Sequence, residues 1–230
     1  SLLYEKGREQ VLPRIFDPRS IDFKKKKNFV SFFLSDGDNI QWMMQDFASR
    51  YYDVPEAEDV KMTFGLPVAT LAMMAPVQFN NLMGLQKQNC SLMEMLGGGY
   101  YYVDTYSQDN NRKTNLRVAA KRLAVSMRQY QIKLLGIMAM DVKSEAAKEA
   151  YQVYVDANDQ LEGIVVLQYS PYAGGEGEVF WVTNKAGYDI PVITVKYSLW
   201  DRIHEREGSP DFIASKLKEE AQEESFSVVC

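Results

Sequence analysis

The chain has 230 residues, a formal net charge of −5 and a pI near 5.1, with 46% hydrophobic and 25% charged residues. That is enough for one large core, and the mildly acidic balance shows no basic stripe of the kind that tracks nucleic acid. No apolar run approaches the length of about 18 residues that spans a bilayer, and two cysteines with one histidine exclude a disulfide framework or an imidazole metal site.

Residues 1–27 are interrupted by Pro13 and Pro18 and read as a lead-in segment, ending in the solvated run Lys24–Lys27. The next stretch organises the chain. Phe29–Ser35, FVSFFLS, has the composition of a strand buried on both faces of a parallel sheet. Asp36, Gly37, Asp38 and Asn39 form a polar turn, after which Ile40, Met43, Met44, Phe47 and Tyr51 fall at helical spacing. One acid would serve as a helix cap. Two acids, two residues apart at the carboxyl end of a strand, stand where α/β folds bind ligands. An EF-hand loop does not fit, because Ile40 occupies the next alternate position.

Residues 62–74 form a second apolar run, broken or edged at Pro67, and a helix is expected from about Pro76 to Leu96 with Gly97 as its stop. Gly97, Gly98 and Gly99 then precede a strand over Tyr100–Val103 that ends in Asp104. A phosphate-cradling loop has the reverse order, glycines after a strand and before a helix, so a dinucleotide or P-loop reading is excluded. From Leu116 an amphipathic helix shows Arg117, Lys121, Arg122 and Arg128 to solvent.

Residues 132–140 are a buried strand running into Asp141, Ser144 caps a helix through about Asn158, and Leu161–Tyr169 is a further strand. Ser170–Glu178, SPYAGGEGE, is glycine-rich and by composition mobile. Val179–Thr183 and Pro191–Leu199 are strands, the latter leading into Trp200 and Asp201. Ser209-Pro210-Asp211 opens a helix through about Glu224, and Phe226–Cys230 begins another strand, so the chain reads as a fragment of a longer polypeptide, truncated at its C-terminus.

The recurrence is strand, acid, helix, with Asp36, Asp104, Asp141 and Asp201 each within two residues of a strand's end. Such alternation predicts right-handed parallel crossovers and an α/β, parallel (β/α) barrel-like domain over residues 28–230, with the acids on one rim. Aspartate after a strand also caps the next helix, a sufficient account of Asp141 or Asp201 taken singly. Several carboxylates among aromatic rings suit a carbohydrate, and glycoside hydrolysis needs one carboxyl to protonate the leaving oxygen and another to attack or to activate water. Asp36, Asp38 and Asp104 are the candidate acids, with Asn39 as a hydrogen-bonding partner. Trp42, Tyr100, Tyr102, Trp181 and Trp200 could offer flat faces to sugar rings, although bulky aromatics more often fill a core. Asp141 and Asp201 complete the expected substrate-binding rim.

Gly97-Gly98-Gly99-Tyr100-Tyr101-Tyr102 matches the first six positions of the motif that names the GxGYxYP glycoside hydrolases, and SDGDNIQW, Ser35–Trp42, resembles that family's other signature. Val103 stands where the motif has proline. The resemblance covers about Lys27–Cys230 and implies a C-terminal domain whose N-terminal domain lies elsewhere in the polypeptide. It also implies a bacterial, exported protein acting on a poly- or oligosaccharide, or a non-catalytic carbohydrate-binding module on the same scaffold. No cofactor and no metal is expected, although an all-oxygen calcium or magnesium site among Asp36, Asp38 and Asp104 is compatible with the residues. His204, within DRIHERE, reads as a surface residue.

Overall fold

The computed structural model describes residues 22, 24, 28–35, 40–56, 60–86, 90–95, 100–107, 110–169, 171–200, 208–221 and 224–230. Of the lead-in, only Asp22 and Lys24 are among them.

Parallel strands alternate with helices for most of the chain. Strand β1 (Asn28–Ser35) is followed by a single helical turn, α1 (Ile40–Met43), and by a wide π-type turn at Ala48–Tyr52. Next come β2 (Met62–Leu66), α2 (Val68–Met74), α3 (Pro76–Leu85), β3 (Ser91–Met95), α4 (Arg112–Gln129), β4 (Leu134–Ala139), α5 (Glu145–Ala157) and β5 (Gly163–Gln168). The hairpin β6 (Val179–Thr183) and β7 (Asp189–Thr194), helix α6 (Pro210–Glu220) and β8 (Ser225–Val229) complete the described elements. The sheet order is β6-β7-β5-β4-β3-β2-β1-β8, and every pairing is parallel except β6 with β7.

The sheet curls until its margins meet. Just beyond β7, the Lys196 amide donates to the Val228 carbonyl (2.9 Å), Leu199 to Cys230 (2.8 Å), and Cys230 back to Tyr197 (2.9 Å). Tyr197 forms a parallel bridge with Val229. Inside this barrel-like curl, Phe33, Met93, Met95, Met138, Leu167, Val195 and Val228 form one cluster, drawn from strands that a flat sheet would hold apart. Gly136 makes room there. A Cβ on it would lie 2.3 Å from the Met95 sulfur, so the methionines occupy the space that a side chain would need. A larger core lies between the outer face of the sheet and the helices, including Phe64, Leu66, Leu82, Leu116, Ile137, Tyr151 and Ile164.

The caps act as the residue types dictate. Ser144 Oγ accepts from the Ala147 amide and Ser209 Oγ from Phe212, each holding the first turn of the following helix. Pro67 stands at the break between β2 and α2.

Four expectations are corrected. The helix starting at Pro76 stops at Leu85, and Ser91–Met95, which carries no β-branched residue, is the central strand β3; burial between two neighbours overrides its helical propensity. The strand expected at Tyr100–Val103 is reduced to a bridge between Tyr102 and Met138. Met95 pairs with Gly136 in the ladder, and Tyr102 rejoins β4 at Met138. The first helix is a single turn, not a run to Tyr51. The glycine-rich loop after β5 is pinned: Thr194 Oγ1 donates to the carbonyls of Gly175 (2.9 Å) and Glu178 (3.0 Å), and a Cβ on Gly175 would lie 2.4 Å from Thr194.

Candidate functional site

Because β1 to β5, β7 and β8 run parallel, their carboxyl ends share one face, the usual site of chemistry in such folds. On it Tyr100, Tyr101 and Tyr102 are sorted by alternation. Tyr101 turns into the helical layer, hydrogen-bonds Tyr154 of α5 through their hydroxyls and packs on Tyr106 at 4.9 Å. Burial pushes the Tyr101 phenol above its ordinary value. Tyr100 and Tyr102 turn the other way and meet edge to face at 5.7 Å. Tyr102 reaches Tyr169, just past β5, at 5.1 Å, and Tyr169 reaches Tyr172 at 5.8 Å. The four rings form a row across the ends of β3, β4 and β5. Tyr102 and Tyr172 rest on the barrel interior, while Tyr100 and Tyr169 are 45% and 37% exposed. Desolvation, the Tyr102 hydroxyl and the neighbouring phenols all push the Tyr100 phenol up, so it is a neutral hydrogen-bonding group at physiological pH.

Asp104 and Asp141 come together, with structural duties. Asp104 Oδ1 accepts from the Met140 amide (3.0 Å) and Oδ2 from the Asp141 amide (2.9 Å), tying the segment after β3 to the corner after β4. Asp141 Oδ1 accepts from the Lys143 amide (2.9 Å), and its carbonyl accepts from the Ser144 hydroxyl (2.8 Å). Lys143 extends from this corner to Glu178 (2.9 Å) and Glu176 (3.9 Å) on the pinned loop.

Of the other expected residues, three tryptophans are described. Trp42 stands edge-on to Tyr51 at 5.3 Å beyond β1, and Trp200, 60% exposed, follows the closing segment after β7. Trp181 is on the outer hairpin, opposite Pro191. Asp36, Asp38, Asn39, Asp201 and His204 lie outside the described residues. Ser35, which precedes Asp36, is described at the end of β1, where its hydroxyl meets the Cys230 thiol, pushed up to about 12 by burial. No group of three or more His, Cys, Asp or Glu side chains among the described residues is placed to hold a metal ion.

Sequence reasoning passed over three residues. Tyr169 and Tyr172 follow the carboxyl end of β5 as Tyr100 and Tyr102 follow that of β3, and with β3 unread no local signal marked the shared position. Glu94 is the lone charge in SLMEM and is fully buried on the outer face of β3. Its Oε2 accepts from the Ala69 amide (2.9 Å) at the start of α2, while Oε1 has no hydrogen-bond partner. Burial, only partly offset by the Ala69 and Val68 amides, raises its carboxyl to about 8. A perturbed carboxyl often marks a catalytic group, but Glu94 is sealed from solvent against the first turn of α2 and anchors the β2–α2 corner.

The profile of the GxGYxYP putative glycoside hydrolase C-terminal domain matches residues 26–229. The crystal structure of a putative hydrolase from Bacteroides thetaiotaomicron VPI-5482 superimposes with a TM-score of 0.71 at 18% sequence identity, covering 96% of this chain and 41% of that one. The chain thus spans about two fifths of that protein, and the likeness is one of fold. No curated protein matches it. No helix among the described residues is long and apolar enough to cross a membrane.

Proposed function

The chain belongs to the GxGYxYP putative glycoside hydrolase family, as its C-terminal domain, and from that premise we propose that its strand-end face binds a poly- or oligosaccharide and cleaves a glycosidic bond. The observation that carries the reading is the row of tyrosines at the carboxyl ends of β3, β4 and β5, on the face at which β1 ends in Ser35. A sugar ring has an apolar face for an aromatic ring and a belt of hydroxyls for phenols and carboxylates.

In this reading Asp36 and Asp38 carry the acid chemistry. One donates a proton to the departing glycosidic oxygen, and the other attacks the anomeric carbon or deprotonates the water that does. Asn39, Tyr100, Tyr102, Trp42, Trp200, Asp141 and Asp201 supply substrate contacts. Asp104 is a positioning residue, because both its oxygens already hold backbone amides. The family profile names a C-terminal domain, which supports reading the chain as one domain of a longer polypeptide, and we propose that this polypeptide is exported.

Release of reducing ends from a panel of plant and host polysaccharides tests the proposal. Asp36→Asn and Asp38→Asn should each cut turnover by roughly 100-fold or more with an unchanged melt. Asp104→Asn sets one amide of its new side chain against a backbone N–H, so it should lower the melting temperature along with activity. Full turnover in both Asp36→Asn and Asp38→Asn removes the hydrolase reading. The engagement of Asp104 favours a second reading, a non-catalytic glycan-binding module, which predicts calorimetric binding of oligosaccharides with no reducing ends released.

A further inference from the structure

Two large aromatic side chains held side by side in water need an explanation, since an isolated domain gains by covering them. Tyr100 and Tyr169 are both exposed, and Tyr102 joins them, so the exposed rings belong to one surface. That surface is rigid at its base. Tyr102 is fixed beside β4 by its bridge to Met138, and Tyr102 and Tyr172 both pack on the barrel interior. Tyr172 belongs to the loop that Thr194 pins through the carbonyls of Gly175 and Glu178. Preorganised rings lose little side-chain entropy when a ligand settles on them.

The charges around the row point to the class of sugar. Asp104, Asp141, Glu176 and Glu178 lie at the same end of the barrel. The cations described there are already committed: Arg112 to Glu149 at 2.8 Å, Lys113 to Glu149 at 2.6 Å, Lys143 to Glu178 at 2.9 Å and Lys196 to Glu220 at 2.7 Å. A uronate would bring a carboxylate toward this acidic fringe and would have to break an existing ion pair to find a partner. An uncharged ring meets no such obstacle.

We propose that Tyr169 and Tyr172 join Tyr100 and Tyr102 in one continuous aromatic subsite for an uncharged pyranose, and that the acidic fringe beside it excludes uronic acids. The inference rests on the glycosidase reading of the same face and adds to it two binding residues and a substrate class. Tyr169 supplies an exposed ring face. Tyr172 backs Tyr169 and fixes its tilt, an interplanar angle of 68°.

The test is two-dimensional NMR of the protein carrying ring-labelled tyrosine, with the four resonances assigned by single Tyr→Phe variants. The probes are the methyl glycosides of glucose, galactose, mannose and xylose, with sodium glucuronate and galacturonate as the charged set. A neutral glycoside is expected to shift the Tyr100 and Tyr169 rings together, and the uronates to bind at least tenfold more weakly. Tyr169→Ala, a change at an exposed ring that leaves the interior intact, should weaken the neutral probe about tenfold. Absence of any shift at the four rings with all neutral probes overturns the subsite, as does full affinity in Tyr169→Ala. Equal affinity for uronates overturns the charge selection. Polysaccharide cleavage with an unchanged KM in Tyr169→Ala would sink the subsite and leave the hydrolase standing, whereas ring shifts without cleavage of any polysaccharide would do the reverse.

Discussion

Two glutamates on the outer side of the barrel, one buried and one half-buried, show how differently the fold treats a carboxyl drawn from water. Glu94, beneath the start of α2, has one oxygen on the Ala69 amide and the other without a partner, and burial raises it to about 8. Glu220, at the end of α6, lies against the seam where the segment after β7 meets β8. Burial pushes it upward too. There, however, Lys196 at 2.7 Å, the Ser227 hydroxyl at 2.6 Å and the Tyr197 hydroxyl at 2.5 Å prevail, and the carboxyl falls below its ordinary value. What decides the sign is the number of donors brought to the charged form, and not depth alone. One glutamate is a neutral peg in an apolar corner, the other a charged clamp across the closure of the sheet.

The largest effect expected from this contrast is a pH dependence. The unfolded chain releases the Glu94 proton near 4.5 and the folded chain holds it to about 8, so the folded state binds more protons in that window and loses stability as pH rises. Each pH unit there is worth about 1.4 kcal/mol. Denaturant unfolding at pH 5 and pH 8 should show this decline, and Glu94→Gln, which keeps an acceptor for the Ala69 amide, should remove most of it. A slope untouched by Glu94→Gln would mean that the corner admits water and that the contrast is false.

Glu220 predicts the opposite limb. Its contribution is complete above 4.5 and disappears as pH falls through a folded value lower than that. Glu220→Ala strands the Ser227 hydroxyl, on a residue 1% exposed, together with Lys196 and Tyr197. A loss of about 1–3 kcal/mol is expected near neutrality, shrinking in acid. The same loss at pH 3 as at pH 7 would show that the residue acts by packing alone.

Much of the frame was legible because it follows from period and punctuation. FVSFFLS, IKLLGIMAM and LEGIVVLQY read as buried strands, and Ser144 and Ser209 as caps, on local chemistry that the tertiary structure then uses. SLMEM could not be read this way, since its leucine and methionines suit a helix and its strand conformation comes from β2 and β4 on either side. The site was legible only by motif. Tyr100 and Tyr102 were named from the glycine-tyrosine signature, whereas Tyr169 and Tyr172 join them through a crossover that no local pattern encodes. Asp104 shows the physical limit: an acid after a strand looks the same in sequence whether it faces a cleft or caps the neighbouring turn, and here it holds the amides of Met140 and Asp141.

The smallest expected effect is the sharpest test of the seam. Tyr197→Phe removes one hydroxyl and keeps the ring over which Lys196 lies at 5.7 Å, so packing and the cation–π contact survive while Glu220 loses one of its three donors. A loss of about 1 kcal/mol at neutral pH is expected by urea unfolding. Burial first, and then the Glu220 hydrogen bond, raise the Tyr197 phenol. Tyr197 and Ser227 hold the two oxygens of one carboxylate, so Tyr197→Phe with Ser227→Ala should depart from the sum of the single changes. Strict additivity would mean that the two donors act independently and that the seam is not a clamp built around one charge.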